Sequence, residues 1–331
     1  MSRGMSFDRR QFLGVLASGA TALALPQIGP ASPGGRLAGV FPIGFTSVDV
    51  RNRIDLDGLS SQVEFCTRGG VQGFCWPQIA SGWTTLTEDE RRRGAESITT
   101  AAHGGPTAIV LGVQSRTADF DETRRYASQA ERLGADAIIC IPPPGMNAQD
   151  QLLSFYQRLG QACSLPLFVQ TGGDFSVDLL VRMSETIPSF RYVKDEAGDP
   201  LQRVSEIAER TGRKLQCFSG RGVMTMITEM EQGFVGHCPF MSLADLYAST
   251  YDLYHRGLRQ DAFSQFGRIL AASSLFAQSD LSVLIARGVL KPGTRARVAP
   301  PAPGAAGLRS SKSPDEIKRD LDLYLRPYLK A

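Results

Sequence analysis

TAIVLGVQSRTADFDETRRYASQAERLGADAIICIP, residues 107–142, is one repeat of the pattern that sets the fold. It opens on a continuous apolar run, TAIVLGV. It then passes through DETRRYASQAERLGA, whose apolar residues recur at helical spacing and which turns at Gly134, and it ends in a second apolar run, ADAIICIP. Strands that are apolar on successive residues, rather than on alternate ones, are covered on both faces, as parallel strands beneath helices are.

The same punctuation recurs along the chain. Apolar runs stand at RLAGVFPI (36–43), VQGFCWP (71–77), TAIVLGV (107–113), ADAIICIP (135–142), LPLFVQ (165–170), FRYVK (190–194), KLQCFSG (214–220) and FVGHCPF (234–240), with amphipathic segments such as DLDGLSSQVEFCTRGG between them. Eight strand–helix units in roughly 210 residues are what a closed (β/α)8 TIM barrel needs. A doubly wound open sheet is the alternative, but no G-x-G-x-x-G follows the first run. The fold class is therefore α/β, with a barrel over 36–245 and a helical extension over 246–331. In that extension DLYASTYDLYHRGLRQDAFSQFGRILAASS reads as one or two helices, and VAPPAPGAAGLRSSKSP as a loop. A last helix is expected from Asp315 to Leu329, opened by Ser313 as N-cap with Pro314 in its first turn.

Residues 1–31 read as an export leader rather than as part of the fold. Arg9 and Arg10 precede Phe12, Leu13 and an apolar stretch to Leu25, followed by small residues and a candidate cut after Gly29-Pro30-Ala31. That stretch is shorter than the ~20 residues of a membrane span. The pattern resembles a twin-arginine signal, which implies export to the periplasm and no membrane association once the leader is removed. The 331-residue chain as a whole is 42% hydrophobic and 21% charged, as in ordinary globular chains. The 36 basic and 33 acidic residues are interspersed, which argues against a nucleic-acid partner. Of six cysteines, Cys75, Cys140, Cys217 and Cys238 lie in the apolar runs and read as buried small hydrophobes. No Cys/His spacing suggests a metal, and no cofactor is expected.

FRYVKDEAGD, residues 190–199, places one lysine at the carboxyl end of the sixth run. That is the end at which barrel enzymes do their chemistry. By residue type alone Lys194 is either a reactive amine or a charge reaching water. In a strand Asp195 faces the opposite way from it.

Four stretches together resemble the dihydrodipicolinate synthase and N-acetylneuraminate lyase superfamily of Schiff-base barrels: GVFPIGFT, RIDLDGLSSQVEFCTRGGVQGF, TLTEDERR and FRYVKDEAGD. The resemblance covers almost everything after the leader. It implies that Lys194 condenses with a 2-oxo acid to a protonated imine, an electron sink that lets a neighbouring C–C or C–O bond break. Such an amine attacks only when neutral, so a site of this kind desolvates it. A homodimer or homotetramer acting on a small 2-oxo acid or sugar acid is implied as well.

Three departures stand out. Where the family carries a Gly-Thr-Thr-Gly-Glu loop for the substrate carboxylate, this chain has Gln78-Ile79-Ala80-Ser81-Gly82, so the paired hydroxyls are gone while Gln78 and Ser81 remain able to donate. Trp76 and Trp83 flank the loop, as pocket wall or as packing. At the end of the fourth run, in CIPPPGMN, Pro144 occupies the place of the family's proton-relaying tyrosine, and VQTGGDFS is shortened past an arginine that engages distal carboxylates. The candidates for the missing acid–base group are His237, Tyr192 and Glu196, with His237 favoured by its titration range; its plainer reading is a histidine satisfied near a strand end. Ser219 and Gly220 complete the expected substrate-binding set. The expected activity is a lyase, aldolase or dehydratase on a 2-oxo acid other than the lysine-pathway pair. The alternative is a non-catalytic barrel binding an oxo acid or carbohydrate, with Lys194 as an electrostatic contact.

Overall fold

The computed structural model describes residues 37–172, 175–220, 223–276, 279–297 and 312–331; the expected leader and most of the Pro-rich loop lie outside them. Eight parallel strands form the barrel: β1 (Gly39–Val40), β3 (Gly73–Trp76), β4 (Ala108–Gly112), β5 (Ala137–Cys140), β6 (Leu167–Gln170), β7 (Phe190–Asp195), β8 (Gln216–Ser219) and β9 (Gly236–His237). Each of the eight apolar runs holds one of them, with β7 reaching one residue past its run to Asp195. Hydrogen bonds follow the order β1-β9-β8-β7-β6-β5-β4-β3. The ring closes because Ile43, just past β1, bridges both Cys75 of β3 and Phe240 beyond β9.

The intervening helices are α1 (Leu56–Gly69), α2 (Glu88–Ala102), α3 (Phe120–Arg132), α4 (Gln149–Ala162), α5 (Val177–Thr186), α6 (Pro200–Arg210) and α7 (Met226–Gln232). Their ends follow local rules. Asp55 caps α1 by accepting from the Gly58 N–H, and Gly70 ends it in a left-handed conformation at φ 69°. Thr87 and Glu90 form a reciprocal capping box at the start of α2.

Side-chain alternation along the strands separates two cores. Phe74, Trp76, Leu111, Ile138, Val169 and Val193 pack outward against the helices, whereas Phe41, Cys75, Val110, Ile139, Phe168, Tyr192, Phe218 and Cys238 fill the barrel. The four aromatic rings inside touch one another: Tyr192 stacks on Phe168 with centroids 4.3 Å apart, and Phe218 meets Phe41 edge-on at 5.2 Å. Glycine makes room for them. A Cβ on Gly73 would stand 2.1 Å from the Phe41 ring, and one on Gly236 would stand 2.1 Å from the Phe218 ring.

The C-terminal extension forms α8 (Ala244–His255), α9 (Arg259–Phe276), α10 (Asp280–Ala286) and α11 (Pro314–Tyr324). The long helical stretch is thus two helices, broken at Arg256-Gly257-Leu258. The last helix stops five residues before the expected Leu329, giving way to a 3-10 turn at Arg326–Tyr328; Ser313 caps it and Pro314 opens it as expected, and Glu316 completes a capping box. Two short strands outside the barrel, β2 (Ser47–Val48) and β10 (Arg295–Ala296), pair antiparallel and tie the extension to the loop after β1. Within the extension a buried ion pair joins α8 to the end of α10: Arg287 holds both oxygens of Asp245 at 2.9 and 2.7 Å, with both side chains buried.

Candidate active site

Lys194 projects into the barrel mouth. It shares the inner face of β7 with Tyr192, one layer above the aromatic floor, and it is only 6% exposed, which removes the reading of a solvated charge. Asp195 turns outward as expected, where Arg203 Nε donates to it at 2.8 Å and Thr171 Oγ1 at 2.7 Å. The next inward residue is Glu196. Its Oε1 lies 3.1 Å from Lys194 Nζ, and its Oε2 accepts from Gln170 Nε2 at 2.8 Å. Gln170 ends β6 directly opposite Lys194 in register. Gly220, after β8, closes the third side: a Cβ there would fall 1.8 Å from Glu196 Oε1 and 2.9 Å from Lys194 Cε. Amine, carboxylate and amide therefore form one cluster on two neighbouring strands, closed by Gly220 after a third. The family's tyrosine place, Pro144, is exposed on the loop after β5.

Across the mouth, Gln78 follows Pro77, the first residue past the second barrel strand. Its amide leans over β4, 3.0 Å from where a Cβ of the inward-facing Gly112 would be, and it reaches Gln114 Oε1 at 3.5 Å. Gln114 in turn donates to the Pro77 carbonyl at 2.9 Å. This rim is fixed from behind by Arg91 of α2. Buried over the Tyr126 ring at 3.7 Å, its guanidinium donates to the carbonyls of Gln114 and Gly112 at 2.6 and 2.8 Å.

The other expected residues do not join this cluster. Ser81 Oγ donates to the Gly44 carbonyl at 2.6 Å and accepts from the Gln78 N–H at 3.0 Å, so its hydroxyl holds the loop together. Trp76 is packing, not pocket wall: it faces outward onto α2 at Gly94, and its Nε1 donates to Thr46 Oγ1 at 3.1 Å. Trp83 is buried in a 3-10 turn of the same loop. The Tyr192 hydroxyl accepts from the N–H of Leu37, which precedes β1, so it points to the amino-terminal end of the barrel, away from Lys194.

His237 also requires correction. Its backbone ends β9 as expected, but the inward residues of that strand are Gly236 and Cys238, so alternation sends the imidazole outward between sheet and helices. There Nδ1 meets Glu229 Oε2 of α7 at 2.9 Å, and Ser219, outward on β8, donates to the same oxygen at 2.6 Å. The His237 side chain is fully buried, and its Nε2 has no partner among the described residues. Burial pushes the Glu229 carboxyl up, but hydrogen bonding to His237, Ser219 and Thr225 outweighs it and leaves the group below the usual glutamate value. His237 and Ser219 are thus wall components that fasten α7 to the sheet.

All six cysteines are free and buried. Hydrogen bonding between the Cys75 and Cys238 thiols beneath the mouth, together with burial, holds Cys75 well above the ordinary thiol range, where it is inert.

Sequence reasoning missed Gln170 and Gln114 at the rim and Arg91 behind it. A polar residue closing an otherwise apolar run, as Gln170 does in LPLFVQ, was the signal available for the first of these.

The site is thus a (β/α)8 barrel mouth with a buried lysine at the carboxyl end of the sixth strand and a carboxylate within ion-pair distance of it. The chain belongs to the dihydrodipicolinate synthetase family, whose model matches residues 36–285. Among curated proteins it is similar to the L-2-keto-3-deoxyarabonate dehydratase of Azospirillum brasilense, 24% identical over 70% of this chain and 77% of that one. It is also similar to a probable 5-dehydro-4-deoxyglucarate dehydratase of Streptomyces avermitilis, 32% identical over 52% of each, so this match spans about half of that relative. In fold it resembles the dihydrodipicolinate synthase of Rhodopseudomonas palustris, with a TM-score of 0.72 and 22% identity over 87% of this chain and 97% of that one. The Ruminococcus gnavus sialic acid aldolase superposes with a TM-score of 0.74 at 16% identity, over 88% and 97% of the two chains.

Proposed function

We propose that this protein is a Schiff-base lyase of 2-oxo acids in which Lys194 forms the imine and Glu196 moves the protons. The observation that carries the reading is the inward pair, Lys194 Nζ to Glu196 Oε1 at 3.1 Å, in the barrel mouth. The similarity to dehydratases supports it.

Glu196 takes a proton from the ammonium, the freed lone pair attacks the C2 carbonyl of the oxo acid, a second nitrogen proton passes to the new alkoxide, and the carbinolamine loses water as Glu196 returns the first proton to the departing oxygen. The iminium then draws electrons. In a dehydration, Glu196 removes a C3 proton to give the enamine and delivers it to the C4 hydroxyl, which leaves as water. In a retro-aldol cleavage it removes the C4 hydroxyl proton, the C3–C4 bond breaks into the enamine, and the same proton goes to C3. Water finally hydrolyses the imine and restores Lys194. No group is required from Pro144.

The test is borohydride reduction in the presence of pyruvate, followed by peptide mass spectrometry. A reduced adduct on Lys194, absent from Lys194→Ala, is expected. A folded protein that yields no adduct with a panel of 2-oxo acids would be a binding barrel instead. The twin-arginine pattern and the family resemblance extend the proposal to a periplasmic homodimer or homotetramer, whose substrate differs from the lysine-pathway pair because that aldehyde is made in the cytoplasm.

A further inference from the structure

Two hydrogen-bond acceptors at the mouth are left over. Gln78 Oε1 and Gln170 Oε1 are buried and have no partner among the described residues, on side chains that are 1% and 2% exposed. The amide orientations are fixed by their neighbours. Gln170 presents its NH2 to Glu196 Oε2, an obligate acceptor when ionised. Gln114 gives its NH2 to the Pro77 carbonyl, which leaves its oxygen to receive the NH2 of Gln78. In both cases the carbonyl oxygen is what remains, one beside Lys194 on β6 and the other across the ring past the end of β3. A buried acceptor without a donor is costly, so each oxygen marks a place where a ligand donor belongs.

We infer that Gln78 and Gln170 set specificity, by accepting hydrogen bonds from two hydroxyl groups of the substrate. This inference rests on the proposed imine chemistry at Lys194 and adds what the rest of the substrate must carry. A carboxylate cannot fill either place, because it would set acceptor against acceptor, and a plain alkyl chain would leave both oxygens dry and unpaired. Hydroxyls satisfy them. The substrate class is a 2-oxo acid bearing at least two hydroxyls along its chain, and a second carboxylate at these positions is rejected.

The experiment compares half-saturating concentrations for borohydride trapping on Lys194 among 2-oxobutanoate, 4,5-dihydroxy-2-oxopentanoate and 2-oxoglutarate, counting all adducts whatever their mass. The dihydroxy acid should trap at a concentration about 10- to 100-fold lower than 2-oxobutanoate, one buried acceptor being worth roughly that factor. Gln78→Leu and the near-isosteric Gln78→Met, each checked for fold by circular dichroism, should both shrink that ratio several-fold. Equal trapping of the two acids by the parent, a preference for 2-oxoglutarate, or an unchanged ratio in both folded variants would overturn the inference while leaving the imine reading intact. Failure of all three acids to trap would overturn the imine reading and this inference with it.

Discussion

Glu196 is the residue on which the proposed chemistry turns, and it is testable apart from Lys194. Glu196→Gln keeps the shape and the contact with Gln170 but cannot take a proton. Turnover of a hydroxylated 2-oxo acid should fall by about 10²–10⁴-fold, while slow borohydride trapping on Lys194 persists; undiminished turnover would show that water carries the proton. Gly220 gives a second handle, since Gly220→Ala would drive a methyl to within 1.8 Å of Glu196 Oε1 and force the carboxylate off the amine. It should mimic Glu196→Gln in kinetics without a large loss of stability. At this scale Lys194 was legible because a cation at the end of an apolar run is conspicuous. His237 misled because a strand-end position does not fix the face. That depends on the register of its neighbours, and only the glycine at 236 with the Phe218 ring pressed against it shows which way the strand is turned.

At the scale of elements, the strands were readable almost to the residue, since buried parallel strands are continuous apolar runs, whereas β2 and β10 were not, being two residues each with no apolar pattern. The Asp245–Arg287 pair that anchors the C-terminal helices was also invisible, because its partners are 42 residues apart. Arg287→Met should destabilise by about 3–5 kcal/mol, the cost of stranding a buried carboxylate; thermal unfolding would measure it, and a shift near zero would mean that Asp245 finds another partner. The Glu229 fastening of α7 predicts an acid limb. A carboxyl held below its unfolded value of 4.5 contributes stability that is complete above that pH and is lost as pH falls through the lower folded value. Glu229→Gln should therefore be less stable than the parent at neutral pH, with the gap closing below about pH 4.5. A gap independent of pH would assign Glu229 to packing alone.

For the whole molecule, export is the first question. Arg9→Lys with Arg10→Lys should hold the full chain in the cytoplasm, because a twin-arginine route reads the guanidinium pair and not charge alone; cell fractionation decides, and unchanged export would remove the leader reading. The aromatic floor has a kinetic consequence of its own. Phe41, Phe168, Tyr192 and Phe218 seal the barrel one layer below Lys194, with exposures from 0 to 4%. The reaction chamber is therefore a flask and not a tube, and whatever enters must leave by the same neck. In a cleavage, the fragment tethered to Lys194 at the bottom cannot pass the free fragment above it, so the departures occur in a fixed sequence: untethered piece first, 2-oxo acid last. Product inhibition would show it, the 2-oxo acid competing with substrate for the empty flask and the other fragment not competing.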